Sequence, residues 1–580
     1  MATGQRLPVD PDSGGKKAKG YCTPRQIRQP QVMCVPPDRV LPIIFIPGIM
    51  GSHLRMNRER QEKLKKTDNV AWRPDDAGAC LALKEATPAQ RQAQLDPEAT
   101  EVDIYEPNNH DATGNRHETA DSRNKQIVEF ATFYSGSADS ILLIDDPITK
   151  PGRRTKVQKA LARGWGEVYY DSYGAFLRLC ERHFNDPFGS DGNPTAWWRN
   201  NIINVKPAVW GAHAQSPLQP FTAGELKKTM LGCWYPVHAM GYNWLQSNMK
   251  SGKKIAERVR ALIQSYKAKG FKCEKVILVT HSMGGLVARA AVHPEMGGLN
   301  EVLGIVHGVM PALGAGAGYK RIRCGFEGDL EDTTRKVLGQ KGADVTAVLA
   351  NAQGGLELLP SQRYGNGWLQ AQHHGTTLFQ LPAKGDPYEE IYKVQGKWYQ
   401  LLNEPWINPA TLRNSNLTHT LKLLDGARRF HQAIAGFYHP VSYAHYGADT
   451  VRLAWKNVVW DFDTRINSSE VADLALNNDD AVGRLQLGVS RQSGTSATKV
   501  AVPPRPNPAA SSITATLLAA ADPGDQTVPL SSAEDQLHSE KFSGIFRQAG
   551  YEHQASYSDE RAQNCTVYSI LRIAQMMKWG

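Results

Sequence analysis

The chain predicts an α/β fold, with a mainly parallel sheet, helices on both faces and large insertions between the strands. Two observations carry this. The stretches "VLPIIFIPGIMGSHL" (40–54) and "EKVILVT" (274–280) hold runs that are apolar at successive positions, which suits a sheet buried on both sides. Helical periodicity alternates with such runs along the chain, the pattern of a sheet wrapped by crossover helices.

At 580 residues the chain exceeds one typical domain, so it holds two domains or one large domain with insertions. Hydrophobic residues make up 41% and charged residues 21%, a globular composition. The net charge of +10 favours anionic partners, such as nucleic acid or acidic lipid headgroups, but over this length it serves plain solubility equally well. None of the eight cysteines forms a C-x-x-C pair, so a zinc ribbon or redox pair has no support. Their low density argues against a disulfide scaffold, and Cys273 fits a buried reduced thiol beside a strand.

Residues 1–40 are polar, basic and rich in Pro and Gly, and read as a mobile arm. They contain no apolar h-region, so export without a cleaved leader is expected, and no apolar run reaches the length of a membrane span. The first strong strand lies within 40–54 and ends in a Pro-Gly turn, followed by a polar, irregular insertion over about 56–135. "YGAFLRLCERHF" (173–184) and "SGKKIAERVRALIQSYKAKG" (251–270) show helical spacing. In the second, Ile255, Val259, Leu262, Ile263 and Tyr266 share one face and Gly270 offers a stop. A strand at 274–280, a helix ending before Pro294 and a strand at 302–311 complete the first part of the core, 41–310. Residues 311–510 break the rhythm and read as an inserted cap or lid, opened by a Gly/Ala-rich stretch and closed by a flexible Pro/Ser-rich one. Strand character returns at 511–522, and 511–580 is expected to close the core.

The chemistry centres on "VILVTHSMGGLVARAAV" (276–292), a strand, a polar knot and a small-residue helix. In an α/β-hydrolase the nucleophile sits on such a sharp strand-to-helix turn, which needs compact neighbours because the backbones nearly touch. Gly284 and Gly285 supply them on the helix side, and Thr280 replaces the usual glycine on the strand side. Ser282 is therefore the candidate nucleophile, with the Met283 N–H at a helix start as an oxyanion donor. His281 cannot be its base, because adjacent side chains on such an elbow point apart. In this fold the partners follow in the order acid, then His. "DPGDQTVP" (522–529) offers Asp522 and Asp525, of which Asp525 is favoured because Gly524 frees the backbone. "AGYEHQASYSD" (549–559) places His553 after that loop and before a final helix, whereas His538 lies on an exposed helical stretch. Gly48 and Gly51 let the loop after the first strand approach closely, so Ile49 or Met50 can supply the second oxyanion donor, Ile49 being preferred.

The blocks "PGIMGSHL", "GYNWLQSNMKSG", "THSMGGLVARA", "DPGDQTVP" and "GYEHQASYSD", in this order and with a large insertion, resemble the third family of antibacterial lipase effectors of the type VI secretion system. The first, third and fourth also resemble lecithin–cholesterol acyltransferase-like lipases. The resemblance implies an α/β-hydrolase with Ser282 as nucleophile, Asp525 as acid and His553 as base, acting through an acyl-enzyme with no metal or organic cofactor. It implies a phospholipase made in the cytoplasm without a signal peptide and delivered into a rival cell's periplasm. The partners it implies are membrane phospholipid, a cognate immunity protein and a secretion spike or adaptor, with no nucleic acid. Two other readings of the residues remain: an esterase or acyltransferase on a small acyl substrate, and a non-catalytic module of the same fold. The tryptophans in "NGWLQ", "GKWYQ" and "EPWINP" either face a membrane interface or build the core of the inserted region, and the second is favoured.

Overall fold

The computed structural model describes residues 9–12, 15–18, 37–106, 156–189, 191–213, 218–488 and 512–579. Six strands form the central sheet: β1 (Ile43–Ile46), β2 (Val237–Ala239), β3 (Val276–His281), β4 (Val302–Gly308), β5 (Ser442–Gly447) and β6 (Phe542–Gln548). Their order is β6-β5-β4-β3-β1-β2, and each neighbouring pair is parallel. All strands therefore point their C-terminal ends at one edge, where this class of fold places its ligands.

Four helices matter for the site: α1 (Tyr170–Asn185), α2 (Asn248–Ala268), α3 (Gly284–Val292) and α4 (Glu560–Ala574). Successive strand residues face opposite sides. Ile43, Phe45, Ile277 and Val279 pack with Tyr173 and Phe176 of α1 and with Cys565 and Tyr568 of α4. Ile44, Ile46, Val276 and Leu278 pack with Ile255, Val259 and Ile263 of α2 and with Leu286 and Val287 of α3. Full burial of each such aliphatic side chain contributes about 1.5–3 kcal/mol, which is why β1 and most of β3 are apolar on both faces. Among the described residues six cysteines are free thiols, and Cys273 is buried beside β3. No helix of the described residues is long and apolar enough to cross a membrane.

The structure corrects three sequence expectations. The described part of the 56–135 insertion is ordered rather than irregular. Strands Leu54–Met56, Val70–Trp72 and Thr100–Val102 form a small antiparallel sheet, beside three short helices whose first turns are capped by Asn57, Asp76 and Thr87. Side-chain caps and the ion pairs Arg55–Glu101, Arg60–Asp96 and Arg73–Asp103 hold this polar segment, so apolar periodicity could not reveal it. Residues 107–135 lie outside the described residues, as do nearly all of the N-terminal arm and the Pro/Ser-rich stretch after 488.

The second correction concerns 311–510, which is not one insertion. β5 returns to the central sheet within it, and its sequence "SYAHYG" is buried at every position without being an aliphatic run. The third is that Ile513–Leu517, expected in the core, belongs to a second six-stranded sheet. That sheet has the strand order 376–381, 369–373, 458–462, 513–517, 484–488, 475–479. Its core holds Trp368, Trp398 and Trp460, all at most 2% exposed. Two of the aromatic stretches thus serve packing, and only Trp406 of the third is partly exposed.

The inserted region also grips the core through one carboxyl group. Glu357 Oε2 accepts the N–H of Asn248 at the start of α2 at 2.7 Å, and Oε1 accepts Gln353 Nε2 at 2.9 Å. Glu357 is wholly buried, and burial pushes its pKa from the ordinary 4.5 up to about 8. Between these values the folded chain keeps a proton that the unfolded chain has lost, so its contribution to stability is full below pH 4.5 and falls as pH rises through about 8. Glu357→Gln cannot ionise. Denaturation midpoints are expected to rise for this variant relative to the parent as pH is taken from about 5 to about 8. A difference that does not change with pH would contradict this.

Candidate active site

β3 ends at His281 and α3 begins at Gly284, so the chain turns from strand to helix across two residues. Ser282 sits at the apex with φ +51°, a left-handed conformation that costs a non-glycine residue about 1–3 kcal/mol. The turn is held from both sides. Ser282 N donates to Gly308 O at the end of β4 at 2.8 Å, and Gly285 N donates to Ser282 O at 2.9 Å. A Cβ on Gly284 would lie 2.4 Å from Pro47 O and 2.5 Å from Ile46 O, while one on Gly48 would lie 3.0 Å from the Ser282 Cβ. Thr280, at the usual glycine position, is fully buried, and its carbonyl accepts the Tyr557 hydroxyl at 2.9 Å.

The structure brings the three expected side chains together. His553 Nε2 lies 2.8 Å from Ser282 Oγ, and His553 Nδ1 lies 2.9 Å from Asp525 Oδ2. A carboxylate oxygen accepts, so Nδ1 carries the ring proton and Nε2 is free to accept from the serine hydroxyl. Asp525 is aimed by its own loop: Oδ1 accepts the N–H of Val528 at 2.7 Å and of Thr527 at 3.2 Å. The backbone N–H of His553 donates to Asp525 O at 2.9 Å. Exposures of 5% for Ser282, 7% for His553 and 1% for Asp525 place the relay beneath a covering layer.

Asp522, the alternative acid, instead accepts the N–H of Asn457 at 3.1 Å. His538 is exposed on the short helix Asp535–His538, and among the described residues the ring that bonds the serine hydroxyl is that of His553. Asp525 arrives by a different route from the one its sequence suggests. It does not end a core strand; it follows Asp522–Gly524, which pairs with Asp449–Ala454 just beyond β5. A Cβ on Gly447, the last residue of β5, would lie 2.6 Å from the Asp525 Cβ. The acid thus stands at the C-terminal end of β5, after the chain has detoured through the second sheet.

Met283 follows the serine at the N-terminal end of α3, where the helix dipole favours developing negative charge. Ile49 lies on the loop leaving β1, the parallel neighbour of β3. The N–H groups of Met283 and Ile49 have no hydrogen-bond acceptor among the described residues, so both are free to donate. Met50 has φ +60°, and its carbonyl is pinned by Trp72 Nε1 at 2.6 Å, which fixes this loop.

His281 does not approach Ser282 with its ring nitrogens. Nδ1 lies 3.0 Å from the Tyr173 hydroxyl and Nε2 lies 3.0 Å from the backbone oxygen of His553. Burial, together with the neighbouring His553 ring, holds the His281 pKa well below the usual 6.5, so the ring is neutral. Tyr173 and Gln554, which completes this cluster through Gln554 Nε2 to Tyr173 Oη at 3.1 Å, have no signal in the sequence.

A parallel sheet bearing a strained serine between β3 and α3 defines the α/β-hydrolase fold, and the chain is a hydrolase of that class. Residues 247–321, which span α2, the elbow and β4, match the family described as "PGAP1-like alpha/beta domain". The chain is also similar to a chain of "The crystal structure of Tle4-Tli4 complex", with 29% identity and a TM-score of 0.70 over 93% of this chain and 99% of that one. No curated protein matches. This structural likeness agrees with the resemblance to type VI secretion system lipase effectors at large and does not single out the third family among them.

The elbow geometry makes a stability prediction. In Gly284→Ala the new Cβ meets backbone oxygens that cannot swing away. The variant is expected to lose about 1–3 kcal/mol by overpacking, read as a lowered thermal midpoint. An unchanged midpoint would show that the loop after β1 is not tightly seated on α3.

Proposed function

We propose that the chain is a serine-dependent lipase or phospholipase that cleaves membrane lipid esters through an acyl-enzyme and acts as an antibacterial toxin. The observation that carries this reading is the unbroken chain from Ser282 Oγ through His553 to Asp525, with spacings of 2.8 Å and 2.9 Å. As Ser282 Oγ attacks the ester carbonyl, its proton passes to His553 Nε2. Asp525 holds the imidazole tautomer and stabilises the imidazolium. The Met283 and Ile49 N–H groups take the tetrahedral oxyanion, and loss of one such donor costs on the order of a hundredfold or more in rate. His553 then returns the proton to the leaving alcohol. Water, deprotonated by the same nitrogen, releases the acyl group.

The likeness to a chain of the Tle4-Tli4 complex supports a cognate immunity protein as partner. Release into the periplasm of a target bacterium, handling by a secretion spike or adaptor, and membrane phospholipid as substrate complete the proposal.

The decisive measurement is covalent labelling by a fluorophosphonate probe, expected for the parent and absent for Ser282→Ala. Equal labelling of the two would reject the nucleophile. Turnover of phospholipid vesicles and of short nitrophenyl esters should be compared on the same samples. Preference for the soluble esters would point to an ordinary esterase. Asp525→Asn, which leaves the wrong tautomer facing the serine, is expected to lower kcat by about a thousandfold or more.

A further inference from the structure

The base is fixed by more than its acid. His553 stands in the loop between β6 and α4, and its backbone oxygen receives a hydrogen bond from His281 Nε2. A carbonyl oxygen can only accept, so Nε2 of His281 carries the proton. The neutral ring then presents a bare Nδ1, which accepts a hydrogen bond from the Tyr173 hydroxyl. The Tyr173 oxygen in turn accepts from Gly48 N at 3.4 Å and from Gln554 Nε2 at 3.1 Å. Gln554 Nε2 also reaches Ser172 Oγ at 2.8 Å, the residue before Tyr173 on α1.

Three members of this network are chain neighbours of site residues, and Tyr173 on α1 joins them. Gly48 precedes Ile49, His281 precedes Ser282 and Gln554 follows His553. Tyr173 and His281 are at most 1% exposed and lie among Phe45, Phe176 and Tyr557. A phenylalanine would pack there as well as a tyrosine, and buried polar groups are costly unless every one is satisfied. The polar atoms therefore serve alignment, not burial.

We infer that His281 and Tyr173 are positioning residues that lock the oxyanion loop, the serine elbow and the base loop into one register, through the hydrogen bonds Tyr173–His281, His281–His553 and Gly48–Tyr173. This rests on the serine-hydrolase reading proposed above. Neither residue touches substrate. Both act through their neighbours, and a shift of about 1 Å in such an array costs on the order of a hundredfold in rate.

The test is steady-state hydrolysis of a short nitrophenyl ester by the full chain. His281→Met fills the space but removes both hydrogen bonds, and kcat is expected to fall by about a hundredfold with KM within about threefold of the parent. His281→Gln keeps an N–H donor at the position of Nε2 and is expected to recover about tenfold of that loss. Tyr173→Phe removes one oxygen from the far side of His281 and is expected to lower kcat by about tenfold, again with KM held, so the inference stays testable if His281→Met does not fold. Equal kcat for the parent, His281→Met and Tyr173→Phe would overturn it. So would identical losses in the Met and Gln variants that follow their thermal midpoints. Ser282→Ala runs alongside: activity retained there defeats the serine-hydrolase reading itself, whereas an inactive Ser282→Ala beside an unimpaired His281→Met defeats only the positioning role.

Discussion

The site depends on one close approach, that of the loop leaving β1 to the first residue of α3. With only a hydrogen at Gly284, the carbonyls of Ile46 and Pro47 come within what would be 2.5 Å of a side-chain carbon. That contact forces α3 to begin immediately after the strand, and the turn closes only if Ser282 enters the left-handed region. The strain is repaid by the bonds from Ser282 N to Gly308 O and from Gly285 N to Ser282 O. The same approach sets Gly48, the residue before Ile49, against Ser282. The serine turn and the seating of the loop that carries Ile49 thus follow from one packing constraint between β1 and α3.

Around this joint the upper sheet is built from neutral polar groups. His281, His307 and His445 stand on three adjacent strands, all buried, and burial pushes the last two down to about 3 and about 4. None of them competes with Asp525 as a charge beside His553. In so dry a setting the carboxylate interacts with the imidazole more strongly than it would in water, and its second oxygen is fully occupied by the Thr527 and Val528 N–H groups.

The parts of this design that depend on short-range chemistry were legible in the sequence. The apolar runs of β1, β3 and β4, the amphipathic face of α2 and the glycines flanking Ser282 each announce their structure through sterics or period. That Asp525 and His553 meet could be read because the fold dictates the order in which such a pair follows the elbow. What escaped has no local mark. "SYAHYG" of β5 is covered by neighbours from distant parts of the chain, so its burial is invisible to composition. The second sheet draws strands from both sides of β5, and its assembly is a matter of long-range pairing. Tyr173 reads only as one more aromatic on an amphipathic helix, because what sets it apart is the direction of its hydroxyl.

The same long-range pairing constrains how the serine can be reached. The sequence suggests a single lid over 311–510, but the inserted helices and the second sheet belong to one continuous apolar cluster that also includes Ile44, Leu278, Val259 and Leu286 of the core. Glu357 seizes the start of α2, Arg91 donates to the carbonyls of Lys336 and Val337, and Arg321 Nη2 holds Thr527 Oγ1 in the acid loop at 3.1 Å. Swinging the region as one body would expose those apolar faces, unpair a buried carboxyl and loosen the loop that aims Asp525. The free energy of such an opening would approach that of unfolding the core, since the contacts broken are those of the core itself. The second sheet therefore stays seated on the core, and Ser282, His553 and Asp525 keep their alignment beneath it.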